Sequence, residues 1–275
     1  MTTDVLGEPL ATGRSALVYA WPDHPDRVVK VFPPAYPDAL VDAELAASTE
    51  AARLVANVLP CHGRVQVDGL RGLVFDRLHG DSLTRQAERN PLRVRSGARV
   101  LAREHATLHD VATERFQEVR AAAVAALDSA PMEFLSPEQR AAAAAMIVAL
   151  PAGDRLLHMD FHTENVFAHG AGHVVIDWQT TLRGSPAADV AATVLLLRDA
   201  ELWPGTPWLK RVLVGFVRRT VLDAYLGEYR RRTGMTMAEI DAWRVPALVL
   251  RIALLDIDSE RDRFRSELLA LIGAR

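Results

Sequence analysis

Three observations predict an α+β fold in two lobes, a small antiparallel sheet carrying one helix followed by a larger, mainly helical part. Short β-branched runs broken by Gly, Pro and Asp-Gly crowd the first 78 residues. One helical pattern interrupts them between Asp38 and Asn57. From Gly80 onward Ala/Leu/Arg-rich helical sequence dominates, with one further β-type insertion. The expected boundary divides residues 1–78 from residues 79–275.

Taken in order, LATGRSALVYAW and RVVKVF read as strands, the first alternating about a Gly-containing turn and the second ending at Pro33-Pro34. The segment from Asp38 places Leu40, Val41, Leu45, Leu54 and Val55 on an apolar stripe. RVQVDGLRGLVF is a hairpin about Asp68-Gly69, because both turn residues tolerate positive φ. Residues 92–128 read as helix. Ser136-Pro137-Glu138-Gln139 starts another, with a cap, Pro at the first helical position and Gln three residues after the cap. β-type sequence returns in RLLHMD and HVVIDW, and HGAGH is the turn expected to pair these two strands. Everything after Ser185 reads as helix, including a Thr236-x-x-Glu239 capping box.

The composition is that of a soluble globular protein, 49% hydrophobic and 24% charged with a net charge of -3. No basic tract stands out, which argues against nucleic acid as a partner. The longest apolar stretch, Ala141 to Leu150, is far short of the about 20 residues that cross a bilayer. With Asp4 and Glu8 and no apolar run near the start, no signal peptide is expected, and with Cys61 the only cysteine a reducing cytoplasm is the expected compartment. Of 32 basic residues only Lys30 and Lys210 are lysines. In such a chain each lysine marks a candidate position for a compact point charge rather than a planar fork.

LLHMDFHTENVF, residues 156–167, carries the densest chemistry. His158, Asp160 and His162 alternate, and on a strand they would share a face as ligands of a metal-dependent hydrolase. No further His/Cys/Asp cluster has ligand spacing to support that reading. A second pattern runs forward from Asp160 to Asn165 and then to Asp177 in VVIDW. An acid, an amide and a second acid, each at a strand–loop boundary, meet the needs of magnesium-nucleotide phosphoryl transfer. Mg2+ takes oxygen ligands from one or two protein groups, phosphates and water, and the remaining carboxylate orients an attacking hydroxyl. Lys30, on a strand ahead of a helix bearing Glu44, supplies a cation for phosphates and an acid to hold it. Gly13 lets backbone approach phosphate closely.

With these residues in place the chain resembles the aminoglycoside phosphotransferase and choline kinase family, small-molecule kinases with a protein-kinase-like bilobal fold. The likeness covers residues 10–195 in the family's order. TGRSALVY resembles the nucleotide loop, VVKVF the strand lysine and LVFDRLHGDSL the hinge. LAREHATLH is similar to the helix ending in His, HMDFHTEN to the catalytic loop, VVIDW to the metal-binding motif and SPAADVA to the Pro-x-x-Asp segment. The resemblance implies ATP and Mg2+ as cofactors. It makes Asp160 the catalytic base or orienter, and Asn165 and Asp177 the magnesium ligands. Gly13 and Ser15 would lie in the nucleotide loop, and Lys30 would contact the α- and β-phosphates, steadied by Glu44 with Glu50 as the alternative. The backbone of Phe75, Arg77 and Leu78 would hydrogen-bond adenine. Two departures accompany it: the loop has one Gly rather than several, and Asp76 stands where the family often has Glu. Arg14 has no assignable role.

Only eleven residues separate Asp177 from Asp189, too few for a peptide-binding activation segment, so the expected acceptor is a small hydroxylated molecule and not a protein. Residues 196–275 hold 14 Arg/Lys against 11 Asp/Glu, which disfavours a polycationic acceptor. Asp256, Asp258 and Glu260 form one acidic run there, which could reach the acceptor, though the favoured expectation is a solvated helix end. His105 and His109 are expected in the core, and Trp203, Trp208 and Trp243 as core or cleft walls. A nucleotide-binding pseudokinase is the remaining alternative, opposed by the intact Lys30, Asp160, Asn165 and Asp177. The choice between ATP and GTP is left open.

Overall fold

The structure, a computed structural model, describes residues 6–13, 15–22, 24–199, 208–255 and 257–273. Arg14, Trp203 and Asp256 lie outside the described residues. The chain forms two compact units, Met1–Ser82 with Glu164–Thr180, and Leu83–Thr163 with Thr181–Arg275. The first unit therefore takes in a later stretch that the sequence reading assigned to the second.

In the first unit β1 (Ala11–Thr12), β2 (Leu17–Trp21) and β3 (His24–Val31) precede α1 (Asp38–Leu54), and β4 (Cys61–Val67) and β5 (Leu70–Asp76) follow it. The five strands form one antiparallel sheet in the order β1-β2-β3-β5-β4. The β4–β5 turn is the expected one, with Asp68 at φ 52° and Gly69 at φ 74°. Strand alternation divides the apolar residues between two faces. Tyr19, Val29, Val31 and Val74 pack on one side, and Phe32, Val41 and Leu73 on the other, toward α1. Lys30 shares the second face.

The buried face of α1 is Val41, Glu44, Ser48 and Ala51, whereas Leu40 of the expected apolar stripe is exposed. An acid thus joins Val41 and the partly buried Leu45 on the side of the helix that meets the sheet.

The second unit contains α2 (Leu83–Arg89), α3 (Val94–Leu108), α4 (Val119–Ala126), α5 (Pro137–Val148) and β6 (Arg155–Leu157). The helix expected over 92–128 is thus two helices, with the chain from His109 to Glu118 between them. Next, β7 (Val166–His169) and β8 (Gly172–Val175) form the inserted hairpin of the first unit. The second unit resumes with β9 (Leu182–Gly184), α6 (Pro186–Asp199), α7 (Trp208–Thr233), α8 (Met237–Ala242), α9 (Arg244–Leu255) and α10 (Asp258–Gly273). Both expected capping boxes are present, Ser136 with Gln139 and Thr236 with Glu239. The expected pairing of RLLHMD with HVVIDW is not observed. β8 pairs with the adjacent β7, and β6 pairs with β9. A short turn joins neighbouring strands, and the loop from His158 to Asn165 separates β6 from that turn.

α3 lies along α7, while α4, α6 and α10 pack on α9. Trp243 is buried in this helical core. Among the described residues no helix is long and apolar enough to cross a membrane.

Candidate active site

Within the first unit the sheet, α1 and the β7–β8 hairpin bring three predicted residues together. Lys30 Nζ lies 2.6 Å from Glu44 Oε1 and 3.3 Å from Asp177 Oδ1. Glu44 is 1% exposed, whereas Glu50 pairs with Arg53 on the surface side of α1. Geometry thereby chooses between the two glutamates. Burial alone would lower the Lys30 pKa, but Asp177 and Glu44 outweigh it and push it up to about 12. Burial pushes the Glu44 carboxyl up against the pull of Lys30, and its Oε2 is buried with no hydrogen-bond partner.

Asp177 follows β8 in a left-handed conformation, φ 66°. Asn165 immediately precedes β7, and its carbonyl accepts the Ile176 N–H at 3.0 Å, so the hairpin ends hold these two residues next to each other. The hairpin is stitched to the sheet unit by Val175 N–H to Asn57 O at 2.7 Å and by Ala168 N–H to Asp81 O at 3.1 Å. An amide oxygen and a carboxylate are hard oxygen donors, a set that fits Mg2+ and lacks the nitrogen and sulfur that suit softer metals.

Gly13 N–H donates to Ala16 O at 2.9 Å, closing the turn between β1 and β2. Ser15 hydrogen-bonds Tyr36, whose hydroxyl also donates to Gln179 Oε1 at 3.4 Å. The loop is thus tied to the segment that follows Asp177. Phe75 is inside β5, paired with Val28. The Arg77 N–H is committed to Asp26 O at 2.7 Å, which removes it as a donor and leaves Leu78 beyond the strand. Asp76 is paired with His62 at 2.5 Å.

In the second unit the loop after β6 is held at three points. Asp189, fully buried in the first turn of α6, accepts the His158 N–H at 2.5 Å and the Met159 N–H at 2.9 Å. This fixes Met159 in a left-handed conformation, φ 64°, which an unbranched side chain adopts only under such constraint. Thr193 Oγ1 donates to Phe161 O at 3.0 Å. Thr84 closes the loop on Thr163, N–H to O at 3.2 Å and hydroxyl to hydroxyl at 2.7 Å.

Asp160 sits inside this frame with a charged or chargeable group at each oxygen. His162 Nε2 is 3.6 Å from Oδ2 and Arg251 Nη1 is 3.5 Å from Oδ1. Burial works to raise its pKa, but His162, His158 and Arg251 outweigh burial and bring it down to about 2. Arg251, from α9, also grips Glu260 with Nε at 3.0 Å and Nη2 at 3.2 Å. Sequence reasoning missed Arg251. It also expected Glu260 in a solvated helix end, yet Glu260 is buried, while Asp258 is exposed.

His158 does not serve the alternating metal-ligand reading. It is fully buried, and its Nδ1 accepts the Asp160 N–H at 3.3 Å. Among the described residues the His/Cys/Asp/Glu side chains whose ligand atoms converge are instead His105, His109 and Asp189. These side chains bond one another and two tyrosines. His109 Nε2 faces the Asp189 carboxylate at 3.3 Å, so it carries the hydrogen and Nδ1 accepts from the Tyr229 hydroxyl at 2.6 Å. His105 Nδ1 meets the Tyr225 hydroxyl at 2.7 Å, with Nε2 3.1 Å from Asp189 but off the hydrogen-bond direction. The group is a buried support for the loop.

A five-stranded sheet unit with a lysine–glutamate pair, together with a largely helical unit presenting an aspartate loop, defines a kinase-like fold. A sequence model of the phosphotransferase enzyme family matches residues 7–242, and the chain belongs to that family. Solved structures agree on the fold. An aminoglycoside-3'-phosphotransferase of type VIII is similar with a TM-score of 0.58 and 16% identity, covering 87% of this chain and 90% of that one. The aminoglycoside phosphotransferase APH(3'')-Id from Streptomyces rimosus ATCC10970, in complex with ADP and streptomycin, gives 0.54 and 17%, covering 87% and 91%. The amicoumacin kinase hAmiN, in complex with AMP-PNP, Ca2+ and Ami, gives 0.55 and 13%, covering 97% and 88%. A search of curated protein sequences returns no match.

Proposed function

We propose that the protein transfers the γ-phosphate of ATP to a hydroxyl of a small molecule, an antibiotic or a hydroxylated metabolite. The observation that carries this reading is the bridge from Lys30 Nζ to Glu44 and Asp177, at 2.6 and 3.3 Å, in a member of the phosphotransferase enzyme family. A half-buried lysine held charged between two acids suits the nucleotide phosphates. Solved structures of the same fold, in complex with ADP and streptomycin or with AMP-PNP, Ca2+ and Ami, support nucleotide use and a small-molecule acceptor.

In this reading Lys30 contacts the α- and β-phosphates, and Asn165 and Asp177 hold Mg2+. When bound, magnesium supplies neutralisation of the charge on the phosphate oxygens. The turn at Gly13 and Ser15 covers the phosphates, and the Leu78 amide is the donor to adenine, since that of Arg77 is engaged. Asp160 orients the acceptor hydroxyl and takes its proton late. With a pKa near 2 it is ionised throughout the neutral range but a weak base, which suits a loose transition state that needs positioning more than proton removal.

Thermal-shift titration tests the reading. ATP with Mg2+ at 100 times Kd is expected to stabilise the protein by about 2.7 kcal/mol. Stabilisation by zinc alone, with none from ATP and Mg2+, would favour a hydrolase instead. Binding of ATP without transfer to any hydroxyl would favour the pseudokinase.

A further inference from the structure

Asp160, Arg251 and Glu260 make a charge-alternating row in which two carboxylates share one guanidinium. All three side chains are largely withdrawn from solvent, at 17%, 13% and 6% exposed. The guanidinium is not shared evenly. Nε and Nη2 both bond Glu260, at 3.0 and 3.2 Å, in the two-point geometry that a planar fork makes with a carboxylate. Only Nη1 is left to reach Asp160, and it stops 3.5 Å from Oδ1, at the outer edge of hydrogen bonding.

That asymmetry has a consequence for the loop. A guanidinium free of Glu260 would be drawn into the same two-point grip on Asp160, occupying both oxygens that an acceptor hydroxyl must approach. Without the guanidinium, Asp160 would lose the cation that faces Oδ1 at 3.5 Å.

We propose that Arg251 and Glu260 form a positioning pair for Asp160. Arg251 steadies the carboxylate through Oδ1, and Glu260 restrains the guanidinium from closing over it, so that Asp160 stays ionised, oriented and approachable. The pair acts through Asp160. This rests on the phosphotransfer reading given above.

The test is a double-mutant cycle on the full-length protein, read as ADP release from ATP and Mg2+ with water as the acceptor. Arg251→Met is expected to lower kcat about tenfold with the KM for ATP unchanged, and to cost less than about twofold in an Asp160→Asn background. Glu260→Gln keeps Arg251 but weakens the restraint on its guanidinium, and is expected to lower kcat several-fold with the same loss of effect in that background. Arg251→Lys, which keeps the charge but cannot fork, is expected to fall between Arg251→Met and the wild type. Losses from Arg251→Met and Glu260→Gln that persist undiminished beside Asp160→Asn would overturn the proposal, as would wild-type kcat in both variants. Were the wild-type protein to release no ADP either with water or with any hydroxylated acceptor offered, the phosphotransfer reading would fall first and this inference with it.

Discussion

Lys30 Nζ meets Glu44 Oε1 at 2.6 Å on a face of α1 whose other buried residues are Val41, Ser48 and Ala51. An ion pair in such a setting is poor evidence of stability, because desolvating both charges offsets most of their attraction. Its retention, with Asp177 as a second acid, is better explained by what the lysine is charged for.

Lys30→Ala should therefore damage transfer more than folding. Turnover is expected to fall on the order of 100-fold, the scale for removing one preorganised charge from a transition state. Glu44 limits the structural loss by taking up a proton, as its raised pKa already favours. Steady-state kinetics and a melting curve on the same sample check this; wild-type kinetics would make the pair purely structural.

Asp160→Asn should lower kcat roughly 100-fold or more, the range for a positioned acid–base group. Affinity for ATP with Mg2+ should remain close to wild type, because the residues assigned to the nucleotide lie elsewhere. Calorimetric titration beside turnover separates the two effects, and near-normal turnover would remove Asp160 from its role.

Stability should fall as the solution is acidified from neutral. Burial, reinforced by His109, holds the His105 pKa down to about 4, whereas an unfolded histidine titrates near 6.5. Between these values the unfolded chain binds the extra proton, so stability rises with pH, by up to about 3 kcal/mol for this one group. Asp189 adds to the same trend below that window. Burial opposes its charge, but the two histidines outweigh burial and hold its carboxyl well below the usual range, so its contribution is lost as pH falls past the unfolded carboxylate value. Urea unfolding at pH 7, 5.5 and 4.5 measures the slope, which His105→Gln should flatten; a flat wild-type profile would mean the buried network carries no such linkage.

Gly80→Ala should disrupt the attachment of the β7–β8 hairpin. A Cβ there would lie 1.9 Å from the Ala168 carbonyl oxygen, beside the Ala168 N–H to Asp81 O bond. The cost is expected to be at least the 1–3 kcal/mol of an overpacked site, roughly, since the obstacle is backbone. Chemical denaturation of the variant reads it directly.

Much of this site was legible in the sequence, for identifiable reasons. Lys30 and Asp177 are polar residues inside or closing apolar β runs, where a charge needs a partner, and Asp68-Gly69 has turn chemistry that leaves little choice of conformation. Asp160 and Asn165 stood out through their spacing and order along the chain. Arg251 was not legible: it is one arginine among thirty, and its partner Asp160 is 91 residues away. Helical periodicity also misjudged α1, because Glu44 and Ser48 occupy a face that pattern reading reserves for apolar side chains. The pairing of β6 with β9 escaped for a related reason, as a three-residue strand has too little periodicity to declare its partner.

The central claim is transfer of phosphate from ATP to a hydroxyl with Asp160 at the acceptor. Its most direct test incubates the protein with ATP, Mg2+ and a panel of antibiotics and small hydroxylated metabolites, following ADP release and acceptor mass together. The account predicts an acceptor that gains one phosphate per ADP released, and loss of that product in Asp160→Asn. Phosphorylated product formed equally by Asp160→Asn, or ADP released only with inorganic phosphate and with no panel member phosphorylated, would contradict it.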